Sequence, residues 1–439
     1  MIFVSNLNIK IYVLTFAGEM GNNILIINYV FPPYPGIGGR RWAKFAKYLQ
    51  RKGHNVFVIA SKNPFRTAST FVNDIKELPS DNQNYLSPLY PSILLQQPKN
   101  ALEKLEYHFW IKVLPFFTSG NFYDRSMLWK KQLQEKIRRI ANDKNIDTIV
   151  VSGPPFHYAY ETILLKKVYP HIKFIVDYRD EWTFNDVHGF GIISDKRKQM
   201  EFEKEKFVCE NADAIMSCDQ KILDYLNERY RIKYSRLITH GFDKDDFLEV
   251  YKNNIPNNKK DEIIISYFGT IYPGIHSFFT QLVRFLDTLK NENLDLYNQI
   301  QFYFYSIDFF PYSEIIQSHS KKINVIQQNI KPADLFKKIN LTDFILLIPS
   351  YRSKDYFTTK FPEIFYLKKP VILYSDEGKV SEFIQQHHIG VHLPKEDFYE
   401  TFVNALSNPH QFSYDNFNIN EWDYSHITDQ LIDLMHSLK

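Results

Sequence analysis

Phe31-Pro-Pro-Tyr-Pro-Gly-Ile-Gly-Gly39 stands between the apolar run Ile24-Leu-Ile-Ile27 and the amphipathic stretch 40–50. The order reads as strand, glycine loop and helix start. Backbone N–H groups at a helix N-terminus are unpaired and carry partial positive charge, so a loop without side chains there lets an anionic group approach. Trp42, Phe45, Ala46 and Leu49 recur at i, i+3, i+4 and i+7, which predicts one buried helical face, and Gly53 follows where a helix would stop. Asn55-Val-Phe-Val-Ile59 reads as the next strand.

The unit repeats along the chain. Asp147-Thr-Ile-Val-Val-Ser152 runs into Gly153-Pro-Pro-Phe-His157, Lys173-Phe-Ile-Val-Asp177 into Tyr178-Arg-Asp-Glu-Trp182, and Ala214-Ile-Met-Ser217 into Cys218-Asp219. Near-continuous apolar runs separated by helical patterns are how parallel strands buried on both faces read. In such sheets ligands gather beyond the carboxyl ends of the strands, where these polar residues fall. Over 251–261 Asn, Lys and Pro replace the apolar periodicity, which marks a linker zone. Five more strands are predicted beyond it, over 262–268, 301–305, 323–326, 343–348 and 371–374, with helices between them. The expected class is α/β with two domains. Ile427, Leu431, Leu434 and Met435 then predict a terminal helix.

Length agrees with two cores, since 439 residues exceed what one ordinary core serves. With 44% hydrophobic and 23% charged residues the chain reads as globular, and a net charge of +3 argues against a dedicated nucleic-acid binder. Cys209 and Cys218 offer neither metal-ligand spacing nor a disulfide framework, which points to a reducing compartment. No stretch approaches the roughly 20 apolar residues of a membrane-spanning helix. The apolar run 9–17 lacks a convincing cleavage site, so the first domain is expected to begin at Met20, with 1–19 an extension.

Two stretches leave alternatives open. The segment 64–97 shows no sustained period and reads as a long loop or lid insertion. Beyond residue 102, Trp110, Leu114, Phe116, Phe117 and Trp129 mix with Lys130, Lys131, Lys136, Arg138 and Arg139. Such a mixture docks on an anionic membrane surface, or it is a core-facing helix with a solvated charged side.

A dinucleotide-binding fingerprint does not fit the first unit. Gly36-Ile-Gly38-Gly39-Arg40-Arg41 lacks the third glycine, and strand two ends in Ala60-Ser-Lys62 where an acid should hold the ribose. In the second half, Lys360 lies at i−3 from Glu363, one helical face, with Asp355 upstream. A carboxylate there can accept both hydroxyls of a ribose while the lysine neutralises a diphosphate; a surface ion pair has the same spacing. Asp243-Lys-Asp-Asp246 reads as hinge-side surface or a helix cap, and His387-His388 as helix-end residues.

Four segments together resemble the family-four glycosyltransferases of the two-Rossmann (GT-B) architecture, in the subgroup of bacterial surface-polysaccharide pathways. They are Phe31 to Gly39, Ser152-Gly-Pro-Pro-Phe-His157, Val176-Asp-Tyr-Arg-Asp-Glu-Trp182, and Thr359-Lys-Phe-Pro-Glu363 with its Lys-Pro-Val-Ile372 sequel. His240-Gly-Phe-Asp243 resembles the family's segment before the interdomain hinge. The resemblance implies that Glu363 holds the donor ribose and that Asp355 stands where a longer glutamate contacts the donor sugar. It puts Gly38 and Gly39 at the loop facing donor and acceptor, and His157 or Asp180 near the reacting sugar. After the first strand of the nucleotide domain many members carry an Arg and a Lys; here the loop reads Phe268-Gly-Thr-Ile-Tyr-Pro-Gly-Ile-His276. Gly269 and Thr270 then face the donor, and leaving-group charge falls to Lys360, Arg352 and helix N-termini.

Implied with the family are two Rossmann-like domains facing across a cleft: 20–245 for the acceptor, 246–417 for the nucleotide-sugar donor, and a C-terminal helix, 418–439, packing back on the first. The implied reaction is sugar transfer with retention from a nucleotide diphosphate to a hydroxyl of a saccharide or lipid-linked saccharide, without metal or other cofactor. A cytoplasmic enzyme is expected, peripheral on the inner membrane and without nucleic-acid partners. A catalytically silent nucleotide-sugar-binding paralogue or scaffold, and a nucleotide-sugar epimerase on the same frame, are the alternatives.

Overall fold

A computed structural model describes residues 21–184, 188–248, 262–269, 271, 275–306, 312–327, 332–349, 354–394 and 396–438. The extension 1–19, the linker zone 251–261, Thr270 and Arg352 lie outside the described residues.

The apolar runs become two wholly parallel sheets. The first is built of β1 (Asn23–Ile27), β2 (Asn55–Ser61), β3 (Gln83–Leu86), β4 (Thr148–Gly153), β5 (Lys173–Tyr178), β6 (Ala214–Ser217) and β7 (Ser235–Leu237), in the order β3-β2-β1-β4-β5-β6-β7. The second is built of β8 (Ile263–Phe268), β9 (Ile300–Ser306), β10 (Ile323–Gln327), β11 (Phe344–Leu347), β12 (Val371–Tyr374) and β13 (Gly390–Leu393), in the order β10-β9-β8-β11-β12-β13. Each order reverses once, between β1 and β4 and between β8 and β11. Chain direction makes those reversals the places where loops part and leave a crevice at the carboxyl ends.

The predicted glycine loop leads into helix α1 (Arg40–Arg51), whose Trp42, Phe45, Ala46 and Leu49 are fully buried. They pack on β1 and β2 together with Tyr424, Ile427, Leu431 and Leu434 of the last helix, Tyr424–Ser437, which thus lies on the first lobe. The chain crosses between lobes twice, side by side. Phe242 N donates to the Trp422 carbonyl at 2.8 Å and Tyr424 N to the Phe242 carbonyl at 2.9 Å. Phe242 then stacks on Tyr366 of the second lobe, and the Phe247 ring packs against it at a tilt.

Three strands escaped the sequence reading, and all are sheet edges. β3 falls inside the segment read as loop or lid; its Gln83, Asn84 and Tyr85 are only half-buried, so no apolar run announces it. β7 has no buried residue, and β13 opens on Gly390. An edge strand has one neighbour and tolerates polar residues, so its pattern is weak.

The aromatic and basic mixture divides between two helices. In α3 (Lys130–Lys144), Leu133, Ile137 and Ile140 are buried while Lys130, Lys131, Arg138 and Arg139 are exposed, and Trp129 ahead of it is core. That is the core-facing reading. In α2 (Ala101–Phe117), Leu102, Leu105, Phe109 and Phe116 lie 79, 70, 55 and 85% exposed. At i, i+3, i+7 and i+14 they form one uncovered stripe. No helix among the described residues is long and apolar enough to cross a membrane.

Candidate functional site

The crevice begins at the glycine loop. Gly36 adopts φ 114°, which an L side chain rarely takes, and turns the chain toward the helix. A Cβ on Gly39 would stand 2.4 Å from the Val30 carbonyl oxygen, and one on Gly38 would stand 2.8 Å from Nη1 of Arg179. Gly39 is therefore closed to side chains by backbone, whereas a side chain at Gly38 would have to displace the Arg179 guanidinium.

Two arginines follow at once, in the first turn of α1. Cations there oppose the helix dipole, so their partners must hold them. Arg41, 2% exposed, donates to the Ile238 and Thr239 carbonyls at 2.7 Å and to Asp177 at 3.3 Å. Asp177 also accepts from the Trp42 indole at 2.7 Å and Ser152 at 2.8 Å. Arg40 reaches across to the second lobe, where it pairs with Glu363, and to Asp246 at 3.4 Å.

Glu363 sits in the first turn of the helix Phe361–Tyr366, with its side chain 12% exposed. Burial raises its carboxyl above the usual range, against the opposing pull of Arg40. Lys360 immediately precedes this helix, and its ammonium donates to the Phe268 carbonyl at 2.8 Å. A Cβ on Gly269, whose φ is 152°, would meet that ammonium at 2.2 Å. The loop after β8 carries no cation in sequence, yet Lys360 puts one there in space. Although Lys360 is exposed as a residue, crowding around its ammonium lowers its pKa, with Glu363 opposing.

Between the lobes lies a cavity of about 140 Å³. Gly38, Arg40, Arg41, Arg179, Asp180 and His240 line it from the first lobe, and Tyr356 and Thr359 from the second. The structure thus brings Gly38 and Asp180 to one cavity, with Glu363 paired to a lining arginine and Lys360 next to a lining threonine. Asp180 is half-exposed, 3.7 Å from His188.

Other expected positions fall elsewhere. His157 is not among the cavity's lining residues: its ring is 6% exposed, with Lys204 at 3.4 Å from Nδ1 and Glu161 at 3.4 Å from Nε2, locked between α4 (His157–Ile163) and α5 (Asp195–Asn211). Asp355 is likewise occupied, its Oδ2 2.6 Å from Lys221 of the first lobe and its Oδ1 accepting from Lys379 N at 3.0 Å. Both contacts, Lys221 first, hold its carboxyl below the usual range. Asp243 is a cap, accepting from Asp245 N, but it is no surface residue: it is fully buried. Asp74, Asp243 and Asp246 converge as metal ligands do, and the cation among them is Lys44, at 2.7, 2.7 and 2.6 Å. Burial would push the Asp243 carboxyl up, but Lys44 and Lys47 prevail and hold it well below the usual range.

Sequence reasoning passed over Arg40, Arg41, Arg179 and His240 as site residues. The signal available was the pair of arginines directly after the glycines, where the helix dipole disfavours them.

No family model matches the chain, and no curated protein matches it. Solved structures do. Sucrose-phosphate synthase from Thermosynechococcus elongatus superposes with a TM-score of 0.57 at 14% identity, over 95% of this chain and 99% of that one. WaaG, a glycosyltransferase involved in lipopolysaccharide biosynthesis, gives 0.52 at 12% identity over 94% and 100%. UDP-GlcNAc 2-epimerase from Neisseria meningitidis, bound to UDP-GlcNAc, gives 0.52 at 11% over 94% and 99%. The fold is the two-lobed GT-B architecture. Likeness at these identities speaks for fold alone.

Proposed function

We propose that the chain is a retaining glycosyltransferase that moves a sugar from a nucleotide diphosphate to an acceptor hydroxyl in a bacterial surface-polysaccharide pathway. The observation that carries this reading is Lys360 and Glu363 standing together at one helix start of the second lobe, Glu363 paired with Arg40 beside the glycine loop and Lys360 on the Phe268 carbonyl after β8. The carboxylate suits a ribose diol and the ammonium suits a departing diphosphate. That diphosphate gains negative charge as its bond to the anomeric carbon breaks, so fixed positive charge is what the reaction needs. Lys360 supplies it without a metal ion, and two lobes closing together exclude the water that would hydrolyse the donor. WaaG, similar in fold, is described as a glycosyltransferase, which supports the same reading.

The donor lobe is the second sheet and the acceptor lobe the first. The acceptor is a saccharide or a lipid-linked saccharide, and the enzyme works in the cytoplasm against the inner membrane. The uncovered stripe of α2 supports that placement, since its Leu and Phe side chains form an apolar face along one side of the helix.

In a thermal-shift panel of nucleotide diphosphates and their sugars, one series is expected to raise the melting temperature. Glu363→Ala should weaken that binding about 10- to 100-fold, the worth of a charged hydrogen bond, and abolish transfer. Unchanged turnover in the variant would reject the assignment. A second reading rests on the fold shared with the UDP-GlcNAc 2-epimerase: isomerisation of free donor with no acceptor present would select it.

A further inference from the structure

The cavity between the lobes is lined by three guanidiniums, Arg40, Arg41 and Arg179, and one carboxylate, Asp180. Two of the cations already have acidic partners: Arg41 has Asp177, and Arg40 has Glu363 with Asp246. Arg179 differs. Its Nε donates to Ser152 Oγ at 3.0 Å and its Nη2 to the Pro154 carbonyl at 2.8 Å, both neutral acceptors. Among the described residues no carboxylate lies within ion-pair distance of it. Those two bonds fix the plane of the guanidinium and leave Nη1 against the bare face of Gly38, where any Cβ would collide with it.

Beside it stands His240, 8% exposed, with a buried Nδ1 that has no hydrogen-bond partner. Nε of Arg40, itself 5% exposed, is also buried without a partner. Both residues line the cavity, but these two atoms are buried from it, and buried polar atoms without partners are rare because each forfeits its hydration. Burial, together with Arg41, Arg40 and Arg179, holds the imidazole well below its ordinary pKa. The ring therefore stays neutral, and the unspent charge in the cavity is that of Arg179.

From this geometry we infer that the cavity is a phosphate-binding subsite served by the first lobe, in which Arg179, with the guanidiniums of Arg40 and Arg41 nearby, grips one tetrahedral oxyanion. Its volume of about 140 Å³ suits such a group. The second lobe adds Tyr356 and Thr359, so the bound group would touch both lobes and draw them together. It would also repair the deficit after β8, where Lys360 is the lone cation found among the described residues. The source of the phosphate, donor diphosphate or a phosphorylated acceptor, rests on the nucleotide-sugar reading; the preference for an oxyanion does not.

Calorimetric titration of the full chain with inorganic phosphate, pyrophosphate, uridine, UDP and glucose 6-phosphate tests this. Phosphate and pyrophosphate are expected to bind the native chain, and Arg179→Gln to weaken both at least about tenfold, as loss of a charge-assisted bidentate donor does. Should that variant fail to fold, Arg179→Lys keeps the charge but not the fixed plane, and the same loss in smaller degree is expected. Displacement of phosphate by UDP but not by uridine assigns the subsite to the donor. Additive binding of UDP and glucose 6-phosphate, the latter lost in Arg179→Gln, assigns it to the acceptor. Equal oxyanion affinity in native and variant chains overturns the subsite while leaving nucleotide binding intact. Phosphate binding that depends on Arg179, with no affinity for any nucleotide, keeps the subsite and overturns the nucleotide-sugar reading instead.

Discussion

Glu205 is a carboxyl in the core that pairs with no cation among the described residues. It is 1% exposed, and its Oε2 accepts from the hydroxyls of Thr183 and Tyr230. Burial pushes it up to about 7, and the two hydroxyls only partly offset that. The folded chain therefore keeps a proton on Glu205 between about pH 4.5 and 7, where the unfolded chain has released it. Unfolding in that window releases a proton, so this group's share of stability is full below pH 4.5 and declines as pH rises to 7. Glu205→Gln keeps the shape and removes the titration. It should gain about 1 to 3 kcal/mol relative to the native chain between pH 5 and pH 8, read from urea unfolding at the two pH values. A constant difference between the two proteins would mean that the carboxyl titrates normally.

Central strands and α1 were legible because burial on both faces, or on one stripe, leaves a period in the sequence. Ile24, Leu25, Ile26 and Ile27 are all fully buried, and Trp42, Phe45 and Leu49 repeat at the helical interval. β3, β7 and β13 were not legible, because an edge is half-solvated and polar residues serve it as well as apolar ones. At the site, Glu363 and Lys360 could be read from spacing, but Arg179 and His240 could not: they follow β5 and β7, two strands with β6 between them, and only the fold brings them to one cavity. From residue 102 the pattern was legible as helical, in agreement with α2, but not which of its sides is bare. Its exposed residues Leu102, Leu105, Phe109, Phe116 and Phe117 and the buried Leu114 are equally apolar, so only packing tells a core face from a bare one. Isolated exposed apolar residues are ordinary, whereas a stripe along a helix is not. The chain should co-sediment with phosphatidylglycerol-containing vesicles, and Phe116→Ser with Phe117→Ser should lower the bound fraction at least about fivefold without a change in melting temperature, since both side chains lie in solvent. Equal sedimentation of both proteins would leave α2 without a lipid role.

The two lobes are held by contacts of unequal strength. At the hinge the paired crossings at Phe242 and Tyr424 are backbone bonds beside stacked rings, and they have no reason to open. Across the cleft two ties are ionic, Arg40 to Glu363 and Lys221 to Asp355 at 2.6 Å, beside a neutral contact of Cys218 with Tyr356 at 3.8 Å. The second pair is 43% and 16% exposed, so water and salt screen it and it is worth about 0 to 1 kcal/mol. The first occupies the carboxylate that the proposed donor ribose would need. Loading a donor therefore requires the lobes to part, with Arg40 leaving Glu363, and reclosing follows once a phosphate group replaces the lost charge contacts. Small-angle scattering reads this directly. In about 1 M salt, where the Debye length is about 3 Å, the radius of gyration should exceed its low-salt value, and Lys221→Ala should show the increase at lower salt than the native chain. Added UDP should reverse it. A radius that ignores salt, nucleotide and the Lys221 substitution alike would mean that the lobes are docked as one body, and a donor would then have no route to Glu363.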